Sequence, residues 1–356
     1  MTIFDSTPTR LSRRSLFAAG GALTAASVLA GCAPAKAASA GGPVTIGYFP
    51  NVTHAPGLVA DAKGYLGTRL AAVNTSPTVK SFNAGPDVIQ AILSGSLDIS
   101  YIGPNPTINA YAQSKGEGIR VIAGSTSGGA SLVVRAGIIS PADLKGTKLA
   151  TPQLGNTQDV ALRFWLKSQG LTATKDGGGE VSILPQANSA AVQAFKAGAI
   201  DGGWLPEPYA SSLVKAGGTV LLDERTLWPG GQFVTTNIIV RTAFLTQRPQ
   251  VVRAFLDAHL DALDTISKDP SGAQAAVAAQ IKKVTSQEQD QAILASAWKN
   301  LAFGADPLAA SLRTSAQHAE AVGLLASKPT DAFAKLWSLD QLNAALDARG
   351  RARVSS

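Results

Sequence analysis

The sequence predicts an α/β protein of two lobes with a helical C-terminal segment. Three observations carry this. Short apolar runs, closed by Gly, Pro or Asn, alternate with stretches whose apolar residues recur every three or four positions. The chain traverses that alternating series twice. Beyond Pro249 it keeps the helical period almost to its end. Strands that alternate with helices pair in parallel, so two parallel-rich sheets with flanking helices are expected. With 356 residues, 45% of them hydrophobic, the chain has material for about two domains.

The elements follow in order. A strand is expected at 44–49, closed by Pro50-Asn51, then a helix at 56–66. A second strand at 79–82 precedes a helix at 87–93, where Val88, Ile89, Ile92 and Leu93 share one face. Strands at 98–103 and 121–124 bracket a helix that starts at 107–112. The second series has strands at 132–135, 148–151, 181–184, 201–205 and 220–223, with Val160, Ala161, Phe164 and Trp165 marking a helix face among them. Residues 237–241 read as a return strand. Val252, Phe255, Leu256, His259, Leu260 and Leu263 then line one side of a long helix. Two crossings would join the lobes, near 125–130 and near 233–237, both rich in Gly, Ser and Thr. The division is therefore 44–126 plus 237–350 for lobe I and 127–236 for lobe II.

The first residues read differently. Arg10, Arg13 and Arg14 precede an uncharged run of 16 residues, from Leu16 to Gly31. That is shorter than the roughly 17–25 residues a membrane-spanning helix needs. A basic start, an apolar middle and a small-residue end describe a secretory signal over 1–31. Ser12-Arg13-Arg14-Ser15-Leu16-Phe17 is similar to a twin-arginine signal, with Leu and Phe exchanged. Leu29-Ala30-Gly31-Cys32 resembles a bacterial lipobox, and Cys32 is the only cysteine. Lipidation at Cys32 would hold the protein on a membrane surface without spanning it, with 32–43 as a flexible tether.

Composition excludes several classes. One cysteine leaves no disulfide framework, zinc ribbon or cluster motif, and three histidines leave little for a histidine-rich metal site. The formal charge is +7, but no Lys/Arg block runs through the body, so nucleic acid is not an expected partner. There is no G-x-S-x-G elbow, H-E-x-x-H or phosphate-binding loop.

Ligands of parallel sheets bind beyond the carboxyl ends of the strands, where helix N-termini present free N–H groups. The candidate turns are 51–55, 103–107, 125–129, 155–159 and 204–208, with Thr235, Thr236 and Asn237 on the return strand. They carry hydroxyls, amides and exposed backbone and hardly any Lys or Arg, a chemistry suited to a small polar or anionic ligand. Each residue also has a structural role open to it. Asn and Thr before a helix are N-caps, Asp159 stands three residues after Asn156 as in a capping box, and Glu207 complements a helix dipole. Trp204 either packs inside a lobe or walls the pocket. His54 follows the first strand and is the foremost single candidate. His259 is expected on a core stripe and His318 on a solvated helix.

Four motifs, in order, are 47–55 (GYFPNVTHA), 101–106 (YIGPNP), 150–159 (ATPQLGNTQD) and 204–209 (WLPEPY). They resemble the substrate-binding proteins of ABC importers, in particular the aliphatic sulfonate, nitrate and taurine group, from about residue 44 to about residue 346. The resemblance implies a two-lobed periplasmic-binding-protein fold of type II, with the ligand in the cleft. By position it implies ligand contacts from Thr53, His54, Asn105, Ser127, Gly128, Thr157, Gln158, Asp159, Trp204 and Glu207. It also implies an exported monomer, anchored to the outer face of the cytoplasmic membrane, that passes an aliphatic sulfonate to a permease and its ATPase. Taurine, nitrate and a pyrimidine-type precursor are the alternative solutes. No catalytic residue, metal or cofactor is expected. A bare sulfonate or nitrate gains nothing from a nearby carboxylate, so Asp159 or Glu207 in the cleft would favour an amine-bearing solute. The enzymes that share this scaffold, pyrimidine-precursor synthases of thiamine biosynthesis, carry a cysteine-rich iron motif that is absent here.

Overall fold

The computed structural model describes residues 42–356, apart from 326, 330 and 332. The signal, the lipobox with Cys32, and most of the tether lie outside the described residues.

Eleven strands among the described residues form two sheets. The first contains β1 (Val44–Tyr48), β2 (Pro77–Ser81), β3 (Ile99–Ile102), β4 (Ile119–Gly128), β10 (Val234–Arg241) and β11 (Leu301–Phe303), in the order β11-β4-β10-β3-β1-β2. The second contains β5 (Ala130–Val134), β6 (Lys148–Thr151), β7 (Ser182–Pro185), β8 (Gly202–Pro206) and β9 (Thr219–Asp223), in the order β7-β6-β8-β5-β9. The two-lobed α/β architecture follows, but the sheets are mixed rather than parallel-rich. β1 pairs in parallel with β2 and β3, and β6 with β7 and β8; the other pairings are antiparallel. The antiparallel pairs all involve strands next to a crossing. β5 follows β4 after Gly129 alone, and β10 follows β9 through short turns, so neither is reached by the helical crossover that parallel pairing requires.

The first crossing is a single residue, Gly129, between β4 and β5. Gly128 and Gly129 both have positive φ, 77° and 73°, a conformation that costs glycine nothing. The second crossing runs through 224–233, upstream of where its Gly/Ser/Thr signal placed it, because β10 already begins at Val234. The strand expected at 121–124 is longer, reaching Gly128, where its last three residues pair with the unforeseen β11. The helix expected at 56–66 breaks at Gly64, whose φ is 74°, into Ala55–Ala62 and Tyr65–Ala71.

The core lies on both faces of each sheet. On one face of the first sheet, Ile46, Tyr48 and Tyr101 pack against Leu58, Phe255, Leu256 and Leu342. The helical stripe of Pro249–Lys268 is buried as its period demands, with Phe255 and Leu256 fully covered, worth roughly 2–3 kcal/mol each. On the other face Ile102 and Ile239 meet Val88, Ile108 and Leu312. The second sheet has one core around Leu132, Trp165 and Trp204 and another around Val133, Phe195 and Leu213.

Candidate functional site

A cavity of about 310 Å³ opens between the two sheets at the carboxyl ends of their parallel strands. The first sheet contributes Phe49, Pro50 and Asn51 after β1, and Asn83, Ala84 and Asp87 after β2. The second contributes Pro152 and Gln153 after β6, residues 185–189 after β7, and Tyr209 after β8. None of the lining residues is Lys or Arg, and Asp87 is the one carboxylate.

Two helices aim their first turns at this space. Gly85–Leu93 starts at Ala84 and Asn188–Lys196 at Ala187, and neither has a side chain capping its N-terminus. Both ends therefore offer backbone N–H groups and the positive end of a helix dipole. Two amide oxygens on the same wall, Gln153 Oε1 and Asn188 Oδ1, are buried without a partner. The cavity thus offers backbone donors from both lobes and, beside them, a carboxylate with unpaired acceptors.

The residues singled out from the sequence stand mostly one layer behind this wall. The Phe49 N–H donates to His54 Nδ1 at 3.2 Å, and the two rings stack with centroids 4.3 Å apart. Accepting at Nδ1 puts the neutral ring's proton on Nε2. Burial lowers the His54 pKa to about 3, so the ring is uncharged at neutral pH. Asn51 Oδ1 caps the short turn Val52–His54 by accepting from the Thr53 N–H at 3.0 Å and also from the Thr53 hydroxyl. Thr53 and His54 thereby hold Asn51 and Phe49, which line the cavity.

Asp159 is fully buried and accepts from the Thr151 hydroxyl (2.9 Å), the Gly155 N–H (2.9 Å) and Arg163 Nε (3.0 Å). It fastens the loop that presents Pro152 and Gln153. Glu207 accepts from the Ser211 N–H and hydroxyl, both at 3.0 Å, and from Asn300 Nδ2 at 2.7 Å. Burial raises its pKa against those hydrogen bonds. It closes the first turn of the helix Tyr209–Lys215, whose first residue lines the cavity. Both carboxylates are buried and held by these partners. Trp204 packs inside its lobe, fully buried, edge-on to Trp165, with its N–H donated to Glu224 at 2.7 Å.

Asn105 is buried and donates to the Ser315 carbonyl at 3.2 Å. Thr157 and Gln158, on the first turn of Thr157–Ser168, are also buried. The Thr157 hydroxyl has no partner and sits against Gly103, where a Cβ would come within 2.5 Å of it. Asn237 Nδ2 is likewise unpartnered. Ser127 and Gly128 belong to the crossing: the Ser127 hydroxyl accepts from the Phe233 N–H at 3.2 Å, and the Gly128 carbonyl accepts from the Thr235 hydroxyl. His259 lies in the core as expected, while His318, expected on a solvated helix, is half-buried against Phe164 and Trp228.

The sequence reading overlooked Asn83, Asp87, Gln186, Asn188 and Ser189. The signal was there: the rule that sent attention to the turns after β1, β3 and β6 applies equally to the turns after the edge strands β2 and β7.

Residues 37–282 match the NMT1-like family. The chain is 28% identical over 191 residues to the taurine-binding periplasmic protein of Escherichia coli K12, an alignment spanning 54% of this chain and 58% of that protein. Among solved structures it superposes on the alkanesulfonate-binding protein SsuA of Xanthomonas axonopodis pv. citri, bound to MOPS. The TM-score is 0.65 at 20% identity, covering 81% of this chain and 96% of that one. On the periplasmic nitrate-binding protein NrtA of Synechocystis PCC 6803 the TM-score is 0.67 at 16% identity, covering 87% and 89%. At those identities the two structures share a fold, that of periplasmic binding proteins. With the family match extending over well more than half of its length, the chain belongs to the NMT1-like family.

Proposed function

We propose that this protein is an exported solute receptor that captures a small sulfonate in the inter-lobe cleft and delivers it to an ABC importer, without turnover. The observation that carries the reading is the cavity: walls from both sheets, two uncapped helix N-termini, and no Lys or Arg. Helix N-termini bind a single negative charge through N–H groups and dipoles. Asp87 and the orphaned oxygens of Gln153 and Asn188 add a preference. They oppose a bare anion and suit a solute that carries an amine as well. An amino sulfonate of the taurine type therefore fits this cavity better than nitrate or a plain alkanesulfonate. The relatives that bind taurine and alkanesulfonates support the class.

The test is a thermal-stability panel on residues 33–356 with taurine, alkanesulfonates, nitrate, sulfate and pyrimidine precursors. Taurine at a hundred times its dissociation constant is expected to add about 2.7 kcal/mol, a shift of a few degrees. Asp87→Asn is expected to narrow the gap between taurine and ethanesulfonate. Equal shifts from both in the wild type would remove the amine contact, and no shift from any of these solutes would remove the substrate class.

We also propose that Cys32 is acylated and tethers the receptor to the membrane, on the strength of the in-register Leu29-Ala30-Gly31-Cys32. The Cys32→Ser protein is expected to leave the membrane fraction; firm retention there would refute the anchor.

A further inference from the structure

The two lobes also meet away from the cavity, where helix Ala309–Ala321 faces helix Thr157–Ser168. The first of these packs on the core of the first sheet through Leu312 and Ala316. The second packs on the core of the second sheet through Leu162, Trp165 and Leu166. Between them Val160, Ala319 and Leu324 form a small apolar cluster of their own. Lys167 Nζ donates to the Ala321 carbonyl at 2.8 Å, a cation on the negative end of a helix.

His318 is the feature of this contact that packing alone does not explain. Its ring stacks on Phe164 with centroids 3.7 Å apart and planes 14° from parallel. Trp228 lies 5.6 Å from the same ring, tilted by 45°. Trp228 is fixed in turn: it stacks on Phe233 at 5.6 Å, a residue of the second sheet's core. One ring from the first lobe is thus gripped by two rings of the second, one of them anchored to that lobe's core. None of the three lines the cavity.

We propose that His318 is a closure latch: gripped between Phe164 and Trp228, it sets how long the lobes stay together and hence how long a bound solute is retained, without touching the solute. This rests on the cleft reading above. A solute trapped between two lobes leaves only when they part, so an interaction present only in the joined state acts on the release rate. The grip also needs no charge, since burial among these rings lowers the His318 pKa and keeps the imidazole neutral. An aromatic pair of this kind corresponds to roughly a two- to tenfold change in rate.

The experiment pairs small-angle scattering of the solute-free protein with stopped-flow release of taurine, for wild type, His318→Ala, Phe164→Ala and His318→Phe. The latch predicts a larger radius of gyration and roughly two- to tenfold faster release for both alanine variants. His318→Phe, which keeps a ring in the grip, is expected to restore both. Unchanged dimensions and unchanged release in the alanine variants would overturn the proposal. So would a lowered melting temperature with unchanged release, which makes the contact a fixed part of the fold. If the wild type does not bind taurine, the substrate reading fails, and the latch stands or falls on the scattering comparison alone.

Discussion

Glu224 shows what burial does to a single residue. It is 2% exposed, accepts from the Trp204 N–H at 2.7 Å, and its pKa rises to about 7 because desolvation outweighs hydrogen bonding. A carboxyl whose folded pKa lies above its unfolded value stabilises the fold below the unfolded pKa, and that contribution is lost as pH rises through the folded one. The window here runs from about 4.5 to about 7. His54 and His259 act in the opposite sense: their pKa values fall to about 3, so their contribution is present above 6.5 and is lost as pH falls. The wild-type profile mixes the two, and a substitution separates them. Glu224→Gln is expected to gain stability relative to wild type between pH 4.5 and pH 8, by roughly 3 kcal/mol over that range. Denaturant midpoints at both pH values check this, and a difference that does not grow with pH would show that Glu224 stays ionised.

At the scale of elements, β4 is held by what crosses over it. The Gly124 N–H donates to the Ala305 carbonyl at 2.8 Å, and the Gly304 N–H to the Ser125 carbonyl at 3.1 Å, so the loop before helix Ala309–Ala321 lies directly on the strand. A Cβ on Gly124 would fall 1.9 Å from the Asp306 carbonyl oxygen, whereas one on Gly304 would meet nothing within 4 Å. Backbone cannot rotate aside as a side chain can. Gly124→Ala is therefore expected to cost about 1–3 kcal/mol, with Gly304→Ala nearly neutral, in urea denaturation. Equal midpoints for the two would mean that the loop yields freely. The same logic explains the turns around the cavity. His54, Asp159 and Glu207 each hold a turn by hydrogen bonds, and the held residues, Phe49, Gln153 and Tyr209, face the opening.

At the scale of the whole molecule, three kinds of link join the two sheets among the described residues. Two covalent crossings pass through Gly129 and through 224–233. Glu207 and Ser211 reach Asn300 and Ser296, tying helix Tyr209–Lys215 to the segment that carries β11. The rings around His318 make the third link. A solute in the cavity would add contacts from both walls at once, which is why the solute panel reads out as stability and the latch as a rate.

The sequence alone determined the alternation of elements, the doubled series and the helical tail; of the turns it named, 51–55 reaches the cavity wall, through Asn51. These are local properties, written in periodicity and in Gly, Pro and Asn placement. Asn156 was legible as the cap of Thr157–Ser168, whereas Asp159, read as its capping-box partner, bonds Thr151, Gly155 and Arg163 instead. Only the tertiary structure decided which residue of each turn meets the cavity. Thr53 is covered because Thr236, 183 positions away, donates to its carbonyl; Glu207 is occupied because Asn300 reaches it from 93 positions away; and His318 is half-buried because Phe164 and Trp228 come from another lobe. Burial depends on what distant segments bring to a residue, and no window of local sequence contains those segments.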